Sequence, residues 1–133
     1  MPTATTTTRA RPIRKPATTK VPKRGTRHEI RELRHRYAVS QALLARLLDI
    51  SLRTLSTAES TTTAVPPQLR RSVTQVARLC DALGESMESG FVGQWLDQPN
   101  EMLGNLKPVE AVERGQLDVV WQVIEGLRSG SPL

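Results

Sequence analysis

The chain holds a single cysteine, Cys80, so no internal disulfide can form and cross-links cannot stand in for a core. This cysteine usage fits a reducing compartment such as the cytoplasm. Cys80 itself lies in an apolar-periodic run, where a small buried thiol is expected. No stretch of eighteen apolar residues occurs, so no transmembrane helix is expected, and the N-terminus lacks the apolar core of a secretory signal. Alternating apolar-polar strand patterns are also missing, which leaves an all-α fold: a small helical bundle. With 133 residues there is room for one modest domain with extensions rather than two full domains.

Negative charge is missing from residues 1–28, which carry Arg9, Arg11, Arg14, Lys15, Lys20, Lys23, Arg24 and Arg27. Residues 29–133 then hold 11 basic against 13 acidic residues, so a slightly acidic domain carries a strongly basic tail. The segment 1–27 is rich in Thr and Pro and nearly free of large apolar residues, so it is expected to stay disordered. Its cations would attract phosphates without reading sequence. Pro12, Pro16 and Pro22 break the amphipathic helix that a transit peptide requires.

From His28 the pattern turns helical. Ile30, Leu33 and Tyr37 outline one face of a first helix. Ser40 is placed to cap a second, whose Leu43, Leu44, Leu47 and Leu48 form an apolar stripe. After only "DIS", Ser51 can cap a short third helix, "LRTLSTAES". The break "STTTAVPP" ends in Pro67, suited to the first turn of a fourth helix with Leu69, Val73, Val76, Ala77, Cys80 and Leu83 on one face and Gly84 as its stop. A fifth helix is predicted around Met87, Phe91, Val92, Trp95 and Leu96, and a last one with Leu117, Val120, Trp121, Ile124 and Leu127 inward. This divides the chain into a tail (1–27), a helix-turn-helix region (28–65) and a C-terminal helical domain (66–133).

The second and third helices carry the first candidate site. Ser40-Gln41 starts one helix, Ala45 lets the pair pack closely, Ile50-Ser51 precedes the other, and Leu55 anchors it. The segment resembles the N-terminal part of Xre-type helix-turn-helix proteins. A capped short helix braced by another can enter a major groove about 12 Å wide. Gln41, Ser51, Arg53, Thr54, Ser56 and Thr57 are the candidate DNA-binding residues. Asp49 stands where the turn commonly has Gly and must tolerate a positive φ or accept a different turn. Leu52 and Ala58 also depart from the usual residue types. An HTH-shaped bundle that does not bind DNA is the alternative.

The stretch "WLDQPNEMLGNLKP" carries the second. As local structure it is a capped turn: Trp95 and Leu96 pack inward, Pro99 ends a helix, Asn100 caps a turn burying Met102 or Leu103, Gly104 takes an unusual backbone angle, and Pro108 starts the next helix. The set Trp95, Leu96, Pro99, Asn100, Leu103, Gly104, Pro108, Glu110 and Gly115 resembles, in type and spacing, the C-terminal domain of Xre/MbcA/ParS-type antitoxins. Asn105 and Ala111 depart from the commoner Gly and Leu.

That resemblance covers roughly residues 28–128 and implies an antitoxin of a type II toxin–antitoxin pair. It implies a RES-domain toxin partner that acts on NAD⁺, with the C-terminal domain blocking the toxin's active site and the helix-turn-helix binding operator DNA to repress the operon. Candidate toxin contacts are Gln116, Gln122, Glu125, Arg128, Ser129 and Leu133. A homodimer, or a hetero-oligomer with the toxin, is expected from two-fold operators. No catalytic constellation, cofactor motif or metal-ligand spacing is present, His28 and His35 included, so no enzyme, cofactor, metal or membrane role is expected. The alternatives are a stand-alone transcription regulator that dimerises through its C-terminal domain, and an interaction module without DNA binding.

Overall fold

A computed structural model describes residues 22–60 and 65–130, with side chains from Arg27 onward. Its elements are α-helices joined by short turns; no strand is present among the described residues, and the sole extended pairing is an isolated bridge between Asn100 and Leu106. The expected disorder of the tail up to Val21 lies outside the described residues.

Helix α1 spans Pro22–Tyr37, beginning six residues before His28. Proline is tolerated in a first helical turn, and backbone hydrogen bonding carries the helix beyond its apolar stripe. Ile30, Leu33 and Tyr37 are buried as the periodicity predicts. The helix closes with Ala38 at φ 54° and Val39 N–H donating to the Arg34 carbonyl at 3.0 Å. Ser40 caps α2, Gln41–Leu48, by accepting from Leu43 N at 3.1 Å. All four leucines of α2 and Ala45 are buried. Asp49 does take the left-handed conformation, at φ 59°, with Ile50 N–H bonded to the Ala45 carbonyl at 3.0 Å. Helix α3, Leu52–Ser60, follows, with Leu55 fully buried.

Helix α4, Pro67–Gly84, is the central strut: it packs against α1 and α2 on one side and against the C-terminal elements on the other. Its buried stripe is therefore wider than one helix face, taking in Leu79 and Ala82 as well. Gly84 ends it without a left-handed angle; the following residue, Glu85, stays right-handed at φ −78°. What Gly84 supplies is room, because a Cβ there would come within 3.2 Å of the Tyr37 ring.

The single fifth helix predicted from the sequence is instead a 3-10 turn, Ser89–Phe91, followed by the short α5, Val92–Leu96. Phe91 is exposed, while Val92 and Leu96 are buried. Gly93 explains the tight turn: a Cβ there would lie 2.1 Å from the Ala38 carbonyl oxygen, so α5 rests directly on the backbone that closes α1. A second 3-10 turn, Glu101–Leu103, leads to α6, Pro108–Glu113, and α7, Leu117–Ser129. In α7 the buried residues are Val120, Val123, Ile124 and Gly126, whereas Leu127 is exposed. The inward face is thus rotated toward Val123 relative to the predicted stripe, because α4 and α6 cover that side. One apolar cluster runs unbroken from Ile30 to Ile124.

Candidate functional site

The outer face of α3 is formed by exposed Ser51, Leu52, Arg53, Thr54, Ser56 and Thr57. Ser51 organises its first turn: its Oγ accepts from Thr54 N at 3.0 Å and donates to Thr54 Oγ1 at 2.8 Å. Arg53 has no hydrogen-bond or ion-pair partner among the described residues. Gln41 differs from the rest of the predicted set, being half-buried with Nε2 donating to Glu59 Oε1 at 3.3 Å.

Glu59 is the residue that sequence reasoning missed. It is 6% exposed, the one buried charged side chain among the described residues. Arg34 Nη1 lies 3.0 Å from its Oε1 and 3.2 Å from its Oε2, and Arg34 Nε donates to the Val39 carbonyl at 3.2 Å. A buried carboxylate requires such partners. The signal was spacing: Glu59 follows Leu55 by four residues, so the register that buries the leucine buries the glutamate.

The Trp95–Pro108 stretch is a closed turn. Its helix stops at Leu96, three residues ahead of Pro99, through a turn at Asp97 and Gln98, and Pro99 is exposed. Trp95 is half-buried and Leu96 fully buried. Asn100 Oδ1 accepts from Met102 N at 2.8 Å, and Asn100 N donates to the Leu106 carbonyl at 3.0 Å. Leu103 is the buried residue of the turn; Met102 is 49% exposed. Gly104 and Asn105 both take positive φ, 66° and 68°. Lys107 Nζ reaches Asp97 Oδ1 at 3.1 Å across the turn's mouth.

Pro108 then opens α6, buried, and Glu110 Oε1 accepts from Lys107 N at 2.9 Å. Gly115, at φ 79°, lets Gln116 N–H reach the Ala111 carbonyl at 2.9 Å and aims α7. Asn100, Leu103 and Gly104 thus shape the turn, Pro108 and Glu110 the start of α6, and Gly115 the approach to α7. This platform is tied to the N-terminal half by Arg46 of α2, whose Nε and Nη2 each lie 2.8 Å from a carboxylate oxygen of Glu113 on α6. The hydrogen-bonded guanidinium holds the Glu113 carboxyl below the ordinary glutamate value.

On α7, Gln122, Glu125, Arg128 and Ser129 are exposed at helical spacing, and Gln116 is exposed just before the helix. Leu133 lies outside the described residues. Arg128 bonds Glu125 and, at 3.0 Å, Glu85 at the end of α4. These residues with Ser86 line an open hollow of about 390 Å³. His28 pairs loosely with Glu32 at 3.6 Å, and no cluster able to hold a metal ion occurs among the described residues.

Residues 27–88, which take in most of α1 and all of α2 through α4, match a family model described as a helix-turn-helix domain. The fold as a whole is similar to that of a chain in the crystal structure of the M. tuberculosis MbcT-MbcA toxin–antitoxin complex, with a TM-score of 0.65 and 21% identity over 80% of this chain and 96% of that one. No curated protein sequence matches the chain.

Proposed function

We propose that this protein is the antitoxin of a type II toxin–antitoxin pair, binding operator DNA through α3 and a toxin through α7. One observation carries the reading: the fold is shared with a chain of a toxin–antitoxin complex over 96% of that chain and 80% of this one. The chain acts by binding rather than by catalysis, in the cytoplasm and without a cofactor. No helix among the described residues is long and apolar enough to cross a membrane.

Residues 28–65 form the DNA-binding region, contacting the operator through Ser51, Arg53, Thr54, Ser56 and Thr57, with Gln41 at the start of α2 beside them. Residues 66–133 form the toxin-binding region. The Trp95–Gly115 set builds a rigid base, and Gln116, Gln122, Glu125, Arg128, Ser129 and Leu133 contact the toxin. The partner is a RES-domain toxin that consumes NAD⁺, and occupation of its active-site entrance neutralises it. Autorepression uses a homodimer or a complex with the toxin that matches a two-fold operator.

Co-expression with an adjacent RES-type gene product tests this: growth is restored by the wild-type chain and by Arg53→Ala, while Arg53→Ala loses promoter binding in a gel shift. Continued toxicity with the wild type overturns the antitoxin reading. Equal promoter affinity of variant and wild type overturns the role of Arg53. Deleting residues 1–27 lowers affinity for all DNA sequences and flattens the salt dependence.

A further inference from the structure

Leu52 is half exposed, at 50%, on the outer face of α3. Neither core packing nor helix capping uses it: Leu55 supplies the inward anchor and Ser51 the cap. Beside it stands Arg53, without a hydrogen-bond or ion-pair partner among the described residues. The short side chains of Ser56 and Thr57, one turn on, leave the approach to both open. The surrounding segment is cationic, with nine Lys or Arg against four Asp or Glu over residues 27–78. An exposed leucine beside a guanidinium unpartnered among the described residues, on a helix face whose exposed residues Ser51 to Thr57 include no acid, fits the DNA major groove. There the thymine C5-methyl is the one apolar group on a base edge, and guanine O6 and N7 are the acceptors that a guanidinium grips with two bonds. Leu52 and Arg53 are successive residues of the first turn of α3, so their side chains diverge by about 100° and the longer guanidinium arm reaches a base pair beside the one under the leucine.

We propose that Leu52 is a sequence-reading residue that packs on a thymine methyl next to the guanine held by Arg53. The inference rests on the DNA-binding reading of α3 and adds a specificity to it: a T–G or G–T step in each half-site. Leu52 thus departs from the polar residue common at this position because it reads an apolar feature.

The test begins with selection of sites from a random-sequence duplex library by the full-length protein, its Leu52→Ala variant and its Arg53→Ala variant. All three are checked for an unchanged melting temperature, which exposed positions should preserve. The wild type enriches a thymine beside a guanine; Leu52→Ala loses the thymine preference and keeps the guanine, and Arg53→Ala does the reverse. Replacing that thymine by uracil, which deletes only the methyl, weakens wild-type binding about fourfold and leaves Leu52→Ala binding unchanged. An equal uracil effect on both proteins, or none on the wild type, overturns the role of Leu52 while DNA binding stands. No enriched site for the wild type overturns both.

Discussion

Arg34 of α1 and Glu59 of α3 are joined through both carboxylate oxygens, at 3.0 and 3.2 Å, and the glutamate is buried. Gln41 of α2 bonds the same carboxylate, so one side chain ties α1, α2 and α3 together. The position of the outer face of α3 depends on this junction.

Removing one partner leaves an uncompensated buried charge. Arg34→Ala is expected to lower unfolding free energy by about 3 kcal/mol, the low end for a buried pair, because Arg34 is partly exposed. Replacing both residues, as Arg34→Met with Glu59→Leu, restores most of the loss. Urea denaturation measures this; a loss below about 1 kcal/mol in the single variant would place the junction among ordinary surface pairs.

Gly93 and Gly90 form a matched pair. A Cβ at Gly93 meets the Ala38 carbonyl oxygen at 2.1 Å, backbone that cannot swing away, whereas nothing lies within 4 Å of a Cβ at Gly90. Gly93→Ala is expected to cost about 3 kcal/mol, as in an overpacked core, and Gly90→Ala to be close to neutral. Similar melting temperatures for the two variants would show that α5 does not rest on the end of α1.

Much of the fold was legible in the sequence because it follows from local rules. Ser40, Ser51 and Asn100 cap their elements, Pro67 and Pro108 open helices, and Ile30, Leu33, Tyr37 and the α2 leucines face inward. Asp49 and Gly104 adopt the left-handed angles their places demanded. The choice between Met102 and Leu103 stayed open in the sequence because only the surrounding packing decides it, and for the same reason Phe91 and Leu127 turn outward against their predicted stripes. Glu59 and Gly93 were hidden for the same reason: their roles are set by Arg34 and Ala38, 25 and more residues away in the chain.

Arg46 and Glu113 give the junction between α2 and α6 a pH signature. The Glu113 carboxyl is held below its ordinary value by Arg46, so the pair's contribution is fully present above about pH 4.3, the ordinary glutamate value. It is lost as pH falls through the lower, folded-state value. Both side chains are more than a third exposed, so the contribution is at most about 1 kcal/mol and shrinks with salt. The stability difference between wild type and Glu113→Gln should be constant from pH 7 to 5 and vanish in strong acid; a difference that grows on acidification contradicts the pairing.

Cys80 is buried, and burial pushes its thiol up to about 12. It is protonated and inaccessible at neutral pH. Iodoacetamide labelling should therefore proceed only at the rate of unfolding and rise steeply in denaturant; rapid labelling of the native protein would contradict a closed core around α4.

The central claim is that α7 and its platform bind a toxin independently of α3. Titrating the purified full-length chain against the NAD⁺ consumption of the RES-type toxin proposed as its partner measures it directly. The expected result is stoichiometric inhibition by the wild type, equal inhibition by Arg53→Ala, and at least tenfold weaker inhibition by the double substitution Gln122→Arg, Glu125→Arg. Absence of inhibition by the wild type, or full inhibition by the α7 double variant, would contradict it.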